Sequence, residues 1–222
     1  MTGKFAALAL AVTAAAQLPH LWAVRADRIG HYPGMAYVGA PSTYADDAAT
    51  YWSWMRQARE GRLLFTDEFT PEEHPRNYVN VLFYALGTVA RVTGVGVVPL
   101  YAAARVIFAL LLCAVLWRLA AAAFETPGER LACFAFLLLS SGWEGLASFL
   151  ERNFGFAHVT SPAWWTPELS TFGSMMLFPH FLAGFAALVG AILLMLRAWS
   201  AADRSVAERR WAALLEIGRA HV

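Results

Sequence analysis

The sequence is short of charge. Of its 222 residues 15% are Asp, Glu, Lys or Arg, and the two signs nearly cancel to a formal +1. Ordinary soluble domains carry about 25%. A disordered or acidic-tail protein combines high net charge with low hydrophobicity, so that class is excluded. With no basic excess to neutralise phosphates, no nucleic-acid partner is expected. Cysteine is scarce too. Cys113 and Cys133 lie in apolar stretches, which provides neither a disulfide framework nor a zinc site. A glycine-rich phosphate loop and a His-Glu-x-x-His motif are absent. Gly94-Val95-Gly96 lacks the rest of a dinucleotide fingerprint, and Ser140-Ser141-Gly142 is no nucleophile elbow. What abounds is apolar surface: 59% of residues, with a mean hydropathy of +0.47. This composition predicts an all-α protein, a polytopic transmembrane helical bundle in the lipid bilayer.

Apolar runs predict spans near residues 5–24, 78–94, 99–124, 131–150 and 173–196. Residues 5–24 cover about 30 Å at ~1.5 Å per residue, one bilayer core. Their alternative is a cleaved signal peptide with Ala14-Ala15-Ala16 as the small-residue site. Lys4 before this run and Arg197, Arg204, Arg209 and Arg210 after the last one are both expected on the cytoplasmic side. Five full crossings cannot satisfy both. Either one short segment is re-entrant or residues 142–154 add a pass. Residues 125–130 read as a charged turn with Pro127 and Gly128.

Residues 26–77 are too polar to span and too long for a tight connection, and such loops are usually functional. Within them, 46–59 reads as a helix. Ser42 or Thr43 can start it, Asp46 and Asp47 suit its positive end, and Gly61 stops it. Tyr51, Trp54 and Met55 form an aromatic face, for the membrane surface or for packing onto the spans. Trp52, Trp54, Trp164 and Trp165 can form an interfacial belt.

Few residues can carry chemistry. Asp46 and Asp47 are an adjacent acid pair, able to act as a general base toward a hydroxyl or to hold a divalent cation, or merely to cap the helix. Glu168, in Thr166-Pro167-Glu168, is either a second site acid or a solvated loop acid. His74 and Arg76 flank the entry to the next helix, where Arg76 can bind phosphate or snorkel. Arg105, near the start of a long apolar helix, must face protein or lipid headgroups. His180, after Pro179, is a binding or a packing histidine.

The order of these features resembles the front half of the C-superfamily glycosyltransferases, membrane enzymes such as the aminoarabinose and protein mannosyl transferases. The resemblance rests on Tyr44-Ala45-Asp46-Asp47 in a long first outer loop and on the entry His74-Pro75-Arg76-Asn77. It continues through residues 104–112, residues 119–124, the charged turn and residues 131–141, and covers roughly residues 4–196. It implies a polyprenyl-phosphate-linked sugar donor, transfer to an acceptor hydroxyl on the extracytoplasmic side, and a bacterial cytoplasmic membrane location. It also implies a catalytic or metal-binding acid at Asp46 or Asp47 and a second site acid at Glu168. His74, Arg76, Arg105 and His180 are the expected substrate-binding residues. The family's usual Asp-Glu pair is Asp-Asp here. A transporter or flippase-like protein and a non-catalytic membrane scaffold are the competing readings. Residues 216–222 back-translate to the start of a sequencing-library adapter and read as read-through, with the remainder as the front of a longer protein.

Overall fold

The computed structural model describes residues 3–31, 37, 39, 45–140, 155 and 170–201. Among them the chain forms seven helices: α1 (Gly3–Arg28), α2 (Ala45–Arg59), α3 (Val81–Thr93), α4 (Val97–Ala123), α5 (Pro127–Leu139), α6 (Thr171–Leu177) and α7 (Pro179–Ala201). There is no strand among these residues, only an isolated bridge between Phe65 and Tyr78. Three helices are long and apolar enough to cross a membrane: α1, α4 and residues Pro179–Trp199 of α7.

The helix ends follow local chemistry. Gly30 and Gly61 take positive φ just beyond α1 and α2. After α2 the Gly61 N–H bonds the Ala58 carbonyl and the Arg62 N–H the Gln57 carbonyl, a Schellman stop at the expected residue. Asn80 caps α3 through the Phe83 N–H, and Gly94 ends it in the left-handed region. Pro99 does not break the chain there, because it lies in the first turn of α4, where its missing N–H costs nothing. Thr126 and Glu129 form a capping box with Pro127 opening α5. The charged turn expected at 125–130 is therefore shorter, with Pro127 onward already helical.

Two expected spans change, and a third is described only in part. In place of 78–94 stands α3, whose 13 residues reach only about 20 Å. Of the expected span 131–150 the described part belongs to α5, also 13 residues, and 141–154 lie outside the described residues. The expected span 173–196 is split at Phe178 into α6 and α7. Pro179 supplies the reason: it has no N–H for the Met175 carbonyl, so the helical ladder is interrupted.

α1 and α4 run antiparallel. Phe5 packs on Trp117, Thr13 Oγ1 lies 3.9 Å from Cys113 Sγ, and Gln17 meets Arg105. On α1 the buried residues Phe5, Ala9, Val12, Ala16 and His20 recur every three or four positions, one face of a helix. On α4 the stripe runs from Tyr101 through Leu112 to Ala120. Phe134 and Leu138 of α5 and Leu182 and Ala186 of α7 complete the core. α7 starts beside Tyr101 and packs along α4 in the same direction. α5 ends where α6 begins. The Thr171 N–H donates to the Ser140 carbonyl at 3.1 Å, and the Ser140 and Thr171 hydroxyls lie 3.3 Å apart.

α2 lies on α3. Gly87 makes this possible, since a Cβ there would stand 2.4 Å from the Met55 carbonyl oxygen and 2.5 Å from Ala58 Cβ. The aromatic face is thus used in packing against α3. Met55 is fully buried, and Tyr51 stacks on Phe83 with centroids 4.7 Å apart. The 62–80 loop is pinned to α2 by Gln57, which is fully buried. Its amide donates to the Thr66 carbonyl and its oxygen accepts from the Thr66 N–H, both at 2.9 Å.

Candidate functional site

Polar side chains gather where the first third of α4 faces the last third of α1. Arg105 is 3% exposed and sits on the buried stripe of α4, so it faces protein. Its Nε donates to Gln17 Oε1 at 2.9 Å, and Gln17 Nε2 donates to the Met175 carbonyl at 3.1 Å. His20 Nε2 bonds the Met176 carbonyl at 2.6 Å. A carbonyl only accepts, so this nitrogen carries the proton, and His20 Nδ1 accepts from the Tyr37 hydroxyl. Gln17 and His20 therefore satisfy carbonyls that the α6–α7 break leaves free.

One donor stays unpaired. Arg105 Nη1 is buried without a hydrogen-bond partner. Arg105 lines a cavity of about 700 Å³ together with the polar Gln17, His20, Arg28 and Tyr37 and the apolar Leu21 and Val106. Burial pushes the Tyr37 phenol above its ordinary range, with the nearby Arg105 charge opposing. The phenol stays protonated, as its bond to His20 requires. A buried guanidinium with an unmet N–H, facing a cavity, is set up to receive an oxyanion.

Tyr101, one turn before Arg105, links this cluster to α2. It is 1% exposed, its hydroxyl has no partner, and its ring meets Trp52 of α2, while neither Asp46 nor Asp47 lines the Arg105 cavity. Asp47 is exposed at the start of α2, as is Asp46. Asp46 accepts a bond from the Thr50 hydroxyl only through its backbone carbonyl. Among the described residues no three His, Cys, Asp or Glu side chains come together as a metal site. Residues 41–44, which hold Ser42 and Thr43, lie outside the described residues, as do Trp164, Trp165, Glu168 and the segment 216–222.

The remaining expected binding residues are dispersed. His74 has both ring nitrogens engaged in its own loop. Nε2 accepts from the Asp67 N–H and Nδ1 bonds the Glu72 carbonyl, each at 2.9 Å. Arg76 is exposed and does not line the Arg105 cavity. His180 sits among Tyr51, Phe83, Phe178 and Phe181, the first and last with centroids 4.7 and 4.2 Å away, and its Nδ1 has no partner. Sequence reasoning missed Gln17, His20, Tyr37 and Tyr101. Gln17 and His20 carried a usable signal: two polar residues three apart within an apolar run share a helix face and need partners in a membrane. Tyr101 stands four before Arg105, on the same face. No family model, curated protein or solved structure matches the chain.

Proposed function

We propose that the protein is a membrane glycosyltransferase. It takes a sugar from a polyprenyl-phosphate donor and passes it to an acceptor hydroxyl on the extracytoplasmic side. One observation carries this reading: the buried, incompletely paired Arg105 guanidinium on a cavity lined by both polar and apolar side chains. A lipid phosphate needs both, oxyanion donors for its head and apolar surface for its tail. Asp47, on the face of α2 that also carries Tyr51, is the acid assigned to orient or deprotonate the acceptor. Glu168 belongs to the same proposal as a second acid.

The topology that goes with this reading has four crossings. α1 runs outward from Lys4 and α4 returns inward. α5 and α6 stack end to end through Ser140 and Thr171 as one composite crossing of about 30 Å, and α7 carries Arg197 back inside. α2 and α3 then lie outside, and the two positive ends agree. Cysteines placed at 47 and 128 should be labelled from opposite faces, and an S140C/T171C pair should cross-link on oxidation. Labelling of 47 and 128 from one face would remove this arrangement.

Function is tested by transfer from polyprenyl-phosphate sugars in membranes. Arg105→Met should lower transfer at least about tenfold, as expected for losing a hydrogen bond to a charged group. Transfer equal to wild type would leave the reading without its basis. The interruptions at Ser140 and Phe178 favour a second reading, transport, because broken helices frame transporter binding sites. Counterflow of a solute through proteoliposomes, with no sugar transfer, would select it.

A further inference from the structure

We propose that a second groove, between α2 and the start of α4, binds a phosphate-bearing ligand. It has a volume of about 580 Å³ and is lined by Trp52, Arg56, Arg59 and Glu68 together with residues 96–99. Its polar inventory is almost all donors. Gly96 is the N-cap of α4 and offers no side chain to the first turn. Leu100 makes the first return bond, to Gly96 O, and Pro99 has no N–H. The amides of Val97 and Val98 are left as free donors at the positive end of a 27-residue helix. Arg56 and Arg59 add two guanidinium groups, and the Trp52 indole N–H is buried with no acceptor.

Against these stands one carboxylate. Glu68 pairs with Arg56 and accepts from the Ser53 hydroxyl at 2.6 Å. Arg59 has no acid within ion-pair range among the described residues. Arginines in the last turn of α2 complement its own dipole. That explains their place on α2, but not why the positive end of α4 is set against them. Arg56 and Arg59 are exposed at the rim of an open groove beside the positive end of α4, so an anion seated there meets all three from the aqueous side. A phosphate accepts several N–H bonds at once, from guanidinium forks and helix amides alike.

The groove does not depend on the transferase reading. It shares only Val98 and Pro99 with the Arg105 cavity, and Arg105 is not among its walls. Two sources of phosphate fit: a soluble phosphate ester from the aqueous side, or the headgroup of a lipid.

The test uses the full chain in nanodiscs, with circular dichroism showing that each variant is folded. In phosphatidylcholine discs, inorganic phosphate and pyrophosphate are titrated by calorimetry. A soluble ligand predicts saturable binding. Arg59→Gln should weaken it about tenfold or more, the scale of one hydrogen bond to a charged group. Glu68→Gln should strengthen it, because the competing charge is gone while the amide oxygen still accepts from Ser53. A purely structural Glu68 would not move binding in that direction. In the second arm, retention of phosphatidylglycerol is measured by native mass spectrometry. The same opposite pair of changes there, with no binding of free phosphate, assigns the groove to a lipid headgroup. Absence of binding in both arms, or binding that neither variant alters, overturns the site.

Discussion

Two clusters meet at Tyr101, and they solve the same problem differently. On one side, Met55, Phe83 and Phe178 close an aromatic block with Tyr51 and Trp54 around it. It is held by ring contacts, and α3 and α2 fit because Gly87 removes a side chain between them. On the other side, Arg105, Gln17 and His20 form a chain of hydrogen bonds into the α6–α7 break. Apolar rings need only contact, and contact is complete in the first cluster. Buried polar groups need every partner: Trp52 Nε1, Tyr101 Oη and His180 Nδ1 lack one in and around the first cluster, and Arg105 Nη1 lacks one in the second. The difference is one of charge: the unmet groups around the rings are neutral dipoles, whereas the unmet group of the polar cluster belongs to a guanidinium, whose burial costs more.

The comparison breaks most sharply on chemistry. Asp47→Asn should lower sugar transfer by about 10²–10⁴-fold, the range for removing a general acid–base group. The protein should stay folded, because the Asp47 side chain is exposed at the start of α2. Transfer at matched protein level in membranes, with thermal unfolding in parallel, measures both. Full activity would reduce Asp47 to a helix-end charge.

Arg105 sharpens the contrast in the opposite sense. Arg105 has no acid partner among the described residues, so removing its charge relieves the cost of burying it, offset by the donor that Gln17 Oε1 loses. Arg105→Met should therefore hold or raise the unfolding temperature in detergent while transfer falls. A purely structural guanidinium would show the reverse, a marked loss of stability with residual transfer following the folded fraction.

Gly87→Ala probes the aromatic side. The new methyl would press on the Met55 carbonyl and Ala58, and overpacking of this kind costs about 1–3 kcal/mol. Transfer per folded molecule should remain near wild type, because no group of the polar cluster is touched. A selective loss of transfer in a stable Gly87→Ala protein would mean that the α2–α3 contact sets the position of Asp47.

Legibility in the sequence divides along the same line. α1 and α4 were readable because a long apolar run with few charges has few other fates, and the Gly61 stop because a positive φ favours glycine. The aromatic stripe of α2 was readable as a stripe. Its destination was not, since a face for lipid and a face for another helix have the same period. The break at Phe178 left only Pro179 as a sign within an otherwise uninterrupted apolar run. Arg105 stood out by its cost in lipid, whereas Gln17 and His20 passed inside a span read as uniform. Their meaning depends on the Met175 and Met176 carbonyls some 158 and 156 positions away, and no local pattern reports such a pairing.

The smallest expected effect separates the two adjacent acids. Asp46 and Asp47 both sit in the first turn of α2, where a negative charge stabilises a helix by about 0.3–1 kcal/mol. Asp47 shares a face of the helix with Tyr51 and Trp54 (i, i+4, i+7), the aromatic face that packs with Phe83 and Tyr101. Asp46 shares its side of the helix with Thr50, which bonds its backbone and not its carboxylate. Asp46→Asn should thus lower stability within that range and leave transfer unchanged. The exception is informative. If the two carboxylates jointly hold a divalent cation, Asp46→Asn should reduce transfer as Asp47→Asn does, and added Mg²⁺ or Mn²⁺ should partly restore both variants. Transfer by wild type and both Asn variants across a cation titration therefore decides between one site acid beside a helix-end charge and a paired metal site.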